Sequence, residues 1–133
     1  MSAWYLDSSA IVKFVVVEAE SAALAAWRAS LDSDDPLITS ELALAEVTSA
    51  VARVDGDVQV ALAHLDAIEQ MVMDRDLLLA AGRLEPSGIR TLDAIHLASA
   101  LAAGPELAGV VTYDSRMAYG AQDLGLTTLA PGR

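Results

Sequence analysis

The chain has no cysteine and, in 133 residues, only two histidines, His64 and His96. Disulfides and thiolate zinc sites are thereby excluded, a histidine-rich metal site is unsupported, and any metal must be held by oxygen. Bases are scarce too, 8 against 19 acids for a formal net charge of −11. That balance argues against a broad electrostatic footprint for nucleic acid. No stretch approaches the roughly 18 apolar residues of a membrane-spanning helix, and Met1-Ser2-Ala3-Trp4 lacks the basic start of a signal peptide. A soluble, unexported protein of the cytoplasm, with no membrane partner, is expected. Repeats, linkers and low-complexity segments are also missing, so one domain over residues 1–133 is expected, with 54% hydrophobic residues to build a single core.

What is present is an alternation of short apolar segments with longer helical patterns. Residues 3–6, 37–38, 71–73, 110–112 and 126–129 are predicted strands. Helices are predicted from Asp7-Ser8-Ser9 to about residue 16, over 20–31, after Thr39-Ser40-Glu41, and over 58–70, 75–84 and 91–103. Breakers separate them at Asp32-Ser33-Asp34-Asp35-Pro36, Asp55-Gly56-Asp57, Glu85-Pro86-Ser87-Gly88 and Gly104-Pro105. The pattern predicts an α/β fold, a central parallel sheet of four to five short strands flanked by helices. Ligands of such sheets bind beyond the carboxyl ends of the strands, where chain order switches. Asp7 and Asp114 each follow a predicted strand and can meet there, although most of the chain lies between them.

Four acids carry the chemistry of interest: Asp7, Glu46, Asp93 and Asp114. Hard divalent cations such as Mg²⁺ bind through carboxylate oxygen and water, and converging acids suit phosphodiester hydrolysis. Each acid also has a plainer reading. Asp7 can cap a helix, but Ser8 and Ser9 can cap it instead and leave the Asp7 carboxylate free; Ser9 is a cap or holds a metal-bound water. Glu46 has Leu42, Ala43, Ser49 and Ala50 as its helical neighbours, none charged, so it needs another partner, either metal or Arg53. Glu41, the other acid of that helix, is explained by the helix dipole. Asp93 also lies in a first turn, behind Thr91 or Leu92 as cap, where the dipole alone accounts for it. Asp114 competes with a turn or cap, Thr112 on the same strand face can orient a water or a carboxylate, and His96 reads as a packed, hydrogen-bonded histidine. Lys13, Arg90 and Arg116 lie close in sequence to the acids and read equally as surface residues.

Taken together, Tyr5-Leu6-Asp7-Ser8-Ser9-Ala10, the helix bearing Glu46, Leu92-Asp93-Ala94-Ile95-His96-Leu97-Ala98 and Val111-Thr112-Tyr113-Asp114 resemble the PIN-domain family, in particular the VapC-like toxins of bacterial toxin–antitoxin pairs. The resemblance spans nearly the whole chain in order. It implies a Mg²⁺- or Mn²⁺-dependent endoribonuclease, held inactive by a cognate antitoxin and commonly a homodimer. It also implies that Asp7, Glu46, Asp93 and Asp114 are the acidic ligands, with Ser9 and Thr112 behind them. Some relatives carry a further acid or amide after the last aspartate, whereas Ser115-Arg116-Met117 offers none. One ion held by Asp7, Asp93 and Asp114 is therefore expected, with Glu46 positioning or deprotonating the attacking water. The rival from another class is a receiver-like or catalytically silent Mg²⁺-binding module. A receiver needs an acidic pair after the first strand and a lysine after a late one, and an aspartyl phosphatase needs Asp-x-Asp; Asp7-Ser8-Ser9 and Thr112-Tyr113-Asp114 meet neither requirement.

Overall fold

Alternation within the Ala3–Leu6 strand, β1, sets the layering. Tyr5 packs with Ile38, Leu97, Val110 and Met117, whereas Leu6 joins Ile11, Leu24, Val47 and Leu65 on the opposite face. Burial on both faces is what an all-parallel sheet requires. In the computed structural model, which describes residues 2–84 and 88–133, four more strands pair in parallel: β2 (Leu37–Ser40), β3 (Glu69–Met71), β4 (Leu107–Val111) and β5 (Thr128–Leu129). Their order is β3-β2-β1-β4-β5. Helices α1 (Ser8–Val15), α2 (Ser21–Ser30), α3 (Leu42–Arg53) and α4 (Val58–Asp66) cover the Leu6 face. The Tyr5 face is covered by α6 (Thr91–Ala102) and α7 (Ser115–Asp123), with α5 (Arg75–Gly82) packed outside α6.

This is the predicted architecture, with local corrections. The third strand lies two residues earlier than predicted: α4 stops at Asp66 because Ile68 turns into the core, and Gln70 donates its side-chain amide to the Leu65 carbonyl at 3.1 Å. Glu69-Gln70-Met71 then pairs with Ile38-Thr39-Ser40, leaving Val72 largely exposed. The last strand is only Thr128–Leu129, and Asp114 is a helix cap rather than a turn, opening α7, a helix whose extent the sequence does not indicate. Its apolar stripe is Met117, Gly120 and Ala121, too small to show as a periodic signal. The cap of α6 is Arg90 rather than Thr91 or Leu92. Of the predicted Glu85-Pro86-Ser87-Gly88 break, residues 85–87 lie outside the described residues.

Two features position the site. β1 and β4 are neighbours, yet α1 leaves β1 for one layer and α7 leaves β4 for the other, so a crevice opens between their first turns. Inter-strand bonds also fix the strand ends: the Asp7 amide donates to the Val111 carbonyl at 3.3 Å, and the buried Thr39 hydroxyl donates to the Leu6 carbonyl at 2.7 Å. Among the described residues, no helix is long and apolar enough to cross a membrane.

Helices α3 and α7 end alike. Asp55 at φ 56° and Gly125 at φ 79° follow the caps Val54 and Leu124, and the bonds from Gly56 to Val51 and from Leu126 to Ala121, each 2.9 Å, close the last turn. The left-handed conformation is free to glycine and costs an L-residue about 1 kcal/mol. Asp55→Gly should therefore stabilise the fold by up to about 1 kcal/mol and Gly125→Ala destabilise it by a similar amount. Chemical denaturation of both variants, read as shifts in midpoint at unchanged slope, checks the pair.

Candidate functional site

Asp7 is the centre of the crevice. It is 3% exposed, and as the N-cap of α1 its Oδ1 accepts from the Ala10 amide at 3.1 Å and the Ser9 hydroxyl at 2.7 Å. Oδ2 accepts from Thr112 Oγ1 at 2.5 Å. The expectation that Ser8 and Ser9 would cap α1 and free Asp7 is thus corrected: Asp7 is the cap, because its short side chain already stands over the open amides at the strand end. Ser9 serves instead as a bridge, its oxygen accepting from the Tyr113 amide at 3.0 Å, and Thr112 does likewise, accepting from the Asp114 amide at 3.1 Å. Two hydroxyls thereby tie the β1–α1 turn to the β4–α7 turn. Burial pushes the Asp7 carboxyl pKa up, against the pull of Thr112, Ser9, His96 and the Ala10 amide. A carboxylate has about four acceptor positions, so three hydrogen bonds leave Oδ2 room for another ligand.

Glu46, half-buried on α3, has its Oε1 2.6 Å from Ser8 Oγ and 2.6 Å from His96 Nε2. Arg53, the sequence candidate for its partner, makes no such bond. His96 is 2% exposed on α6, and its Nδ1 lies 2.6 Å from the Tyr5 hydroxyl. Burial pushes the Tyr5 phenol up and keeps it protonated. With the imidazole neutral, Tyr5 donates to Nδ1 and Nε2–H donates to Glu46, a relay running from β1 to the crevice. Glu46 is half-desolvated, which raises its pKa, but bonds from His96 and Ser8 outweigh that and hold it below its ordinary value. His96 is a packed, hydrogen-bonded histidine, as the sequence suggested. That it faces Glu46 was not foreseen, although its place one turn beyond Asp93 put both on one face of α6.

Asp93, in the first turn of α6, accepts no hydrogen bond among the described residues. Partial burial and the charges of Asp114 and Glu46 raise its pKa, while His96 and Arg90 lower it. Asp114 caps α7, Oδ1 accepting from the Arg116 and Met117 amides at 2.8 and 3.2 Å, and its other oxygen is open. His96 acts on Asp7, Glu46 and Asp93, and Asp93 in turn feels Asp114 and Glu46, so the four sequence-predicted acids are linked electrostatically, two of them as caps. Among the described residues no three His, Asp or Glu side chains stand close enough to grip an ion by themselves. An oxygen-only set of this kind, with one carboxylate unbonded and strained by its neighbours, fits a small hard cation that keeps part of its water shell. A groove of about 500 Å³ runs beside Glu46 along Leu42, Ser49, Arg53 and Leu92.

Lys13 is not an open surface residue. It is 8% exposed, its Nζ 3.0 Å from Glu20 and 4.7 Å from the Tyr113 ring centre. Arg133 donates to the Tyr113 carbonyl at 2.7 Å and Tyr113 donates to the Pro131 carbonyl at 2.8 Å, so the turn before Asp114 is braced from behind.

The chain is similar along its length to known proteins. The sequence profile of the PIN domain matches residues 4–121. Ribonuclease VapC46 of Mycobacterium tuberculosis is 47% identical over 98% of this chain and 99% of that protein. Ribonuclease VapC35 of the same species is 39% identical over 97% of each, and Ribonuclease VapC47 34% over 96% of each. The crystal structure of Mycobacterium tuberculosis VapC20, described as a toxin that cleaves the sarcin–ricin loop, superposes with a TM-score of 0.74 over 96% of this chain and 99% of that one, at 17% identity.

Two outcomes follow from the site's electrostatics. Raised pKa values at Asp7 and Asp93 mean that the folded state binds protons more tightly than the unfolded one, so metal-free stability falls as pH rises from about 4 through the raised values. Glu46 acts oppositely, adding stability above its ordinary value that is lost on acidification. Asp93→Asn should flatten the first slope and raise the melting temperature in chelator near neutral pH; a lower melting temperature than wild type there would contradict the repulsion. Tyr5→Phe removes the donor to His96 Nδ1 and should cost about 1–3 kcal/mol, measured by denaturant unfolding.

Proposed function

The chain belongs to the PIN-domain family, among the VapC ribonucleases, and from that premise we propose that Asp7, Glu46, Asp93 and Asp114 form the centre at which it hydrolyses RNA. It is a toxin endoribonuclease, and its family implies an antitoxin partner. VapC ribonucleases are generally dependent on a divalent metal; Mg²⁺, or Mn²⁺ in its place, suits this oxygen-only set best. The observation that carries the assignment is the Asp93 carboxylate, unbonded among the described residues and pushed up first by partial burial, then by Asp114 and Glu46. A charge that His96 and Arg90 offset only in part gains from a cation that joins it.

Asp93, the open oxygen of Asp114 and the remaining acceptor position on Asp7 would hold the ion, directly or through water. A divalent ion bound there supplies charge stabilisation at the phosphoryl oxygens and acidifies water at neutral pH. Glu46 orients the attacking water or takes its proton through Oε2, since Oε1 is occupied by Ser8 and His96. The lowered pKa of Glu46 keeps it ionised, which suits orienting the water better than taking its proton. Ser9 and Thr112 hold Asp7 in place and keep the two turns at a fixed separation. Ser115-Arg116-Met117 offers no further acid, so a second ion would need the substrate phosphate to recruit it.

The antitoxin is expected to bring a basic side chain to the four acids, for which a guanidinium fork is the best match. A homodimer and a cytoplasmic site of action complete the reading. The non-catalytic alternative has no support among the relatives, which are ribonucleases by name.

Asp7→Asn keeps the size and capping oxygen but removes the charge. It should abolish metal-dependent RNA cleavage and any growth arrest on expression while leaving a folded protein. Mg²⁺ at a hundredfold excess over its dissociation constant should stabilise the wild type by about 2.7 kcal/mol, and Asp93→Asn by clearly less. Cleavage gels together with melting curves in chelator and in Mg²⁺ decide the matter: wild-type cleavage by a folded Asp7→Asn protein, or equal stabilisation of both proteins, would remove the proposed centre.

A further inference from the structure

Five of the six aromatic side chains are buried or partly buried; Tyr119 alone is exposed, at 71%. An aromatic ring left in water on a small α/β domain invites a reason, and its address suggests one. Tyr119 stands on α7, the helix capped by Asp114, with Arg116 one turn before it on the same face. Five residues at a rise of about 1.5 Å put the Tyr119 backbone roughly 7.5 Å along the helix axis from the Asp114 cap, the reach of a neighbouring nucleotide. Two open surface depressions border the ring. One, of about 420 Å³, is lined by Ile89, Arg116, Tyr119 and Asp123, the other, of about 300 Å³, by Ser115, Ala118, Tyr119 and Gln122.

We propose that Arg116 and Tyr119 form a subsite for one unpaired nucleotide of the RNA substrate, next to the scissile bond. The inference rests on the RNA-cleaving reading above and names how that substrate is gripped. An unstacked base lies against the Tyr119 ring, which accepts any base because each has a π-face. The adjacent phosphate sits on Arg116, at the end of α7 nearest the acids. Asp123, two turns from Arg116 at the far end of the same groove, repels phosphate and accepts from an exocyclic amine, which fixes the direction of the strand along the helix. The subsite also answers the charge objection: a chain of net charge −11 binds RNA through stacking and a local cation, with no broad basic face.

The test uses the full chain with a fluorescein-labelled single-stranded RNA. Binding is read by anisotropy in the Asp93→Asn background, which isolates affinity from hydrolysis, and KM and kcat are read in the wild-type background. Tyr119→Ala should raise Kd and KM at least about fivefold, with the effect on KM rather than kcat, and Tyr119→Phe should restore both. Arg116→Ala should reduce the salt dependence of binding by about 0.7 in log–log slope, one phosphate contact on a single strand. Unchanged Kd in a folded Tyr119→Ala protein overturns the subsite. So does a Tyr119→Ala protein whose RNA affinity holds while its solution mass or its antitoxin complex changes, since the face then serves a protein partner. Failure of the wild type to cleave RNA strikes the catalytic reading and leaves the anisotropy result to judge the subsite.

Discussion

A carboxylate sealed from water needs hydrogen bonds to its oxygens, and Asp7 obtains three of them in a way that assembles the crevice. Its donors come from the turn after β1 (Ser9 and the Ala10 amide) and from the end of β4 (Thr112). Those same hydroxyls accept from the Tyr113 and Asp114 amides. Stabilising one buried charge thus locks two turns together at the switch point of the sheet. Breaking either hydroxyl leaves a buried acceptor or amide orphaned and loosens both turns at once.

The other acids are treated differently. Glu46 is held by Ser8 and by an imidazole that is itself held by Tyr5, a chain from the middle of the sheet to the crevice. Asp93 receives no such support among the described residues and bears the repulsion of Asp114 and Glu46. On the proposed reading stability and activity conflict at this point, since the arrangement that costs the metal-free fold would be the one that gives a cation a reason to bind. The strongly acidic composition needs the same perspective. Lys13 is committed to Glu20 and the Tyr113 ring, so the bases left near the crevice are arginines at its rim.

The layering of the fold was legible because it depends on period and punctuation. Short apolar runs bounded by Asp, Gly and Pro became the strands, and Asp7 and Asp114 were legible as strand-end acids for the same reason. The misjudged elements share a physical cause. The third strand slid because Ile68 belonged to the core rather than to α4, which only the packing of neighbouring helices reveals. Helix α7 escaped notice because its buried stripe is methionine, glycine and alanine, a face shaped to lie close against Ile89 and Leu97 rather than to bury large side chains.

Composition and periodicity are local properties, and they sufficed for the parallel α/β architecture and for limiting any metal site to oxygen ligands; the four acids were singled out as candidates, two by strand-end position and the set by resemblance to a family. Which hydrogen bonds each acid makes was decided by tertiary structure. Ser9 bridges two turns instead of capping a helix, Glu46 pairs with His96 instead of Arg53, and Lys13 is buried, because each outcome depends on groups up to 104 positions away meeting across the sheet. A carboxylate's charge state is set by its neighbours in space, and the chain names those neighbours only once it has folded.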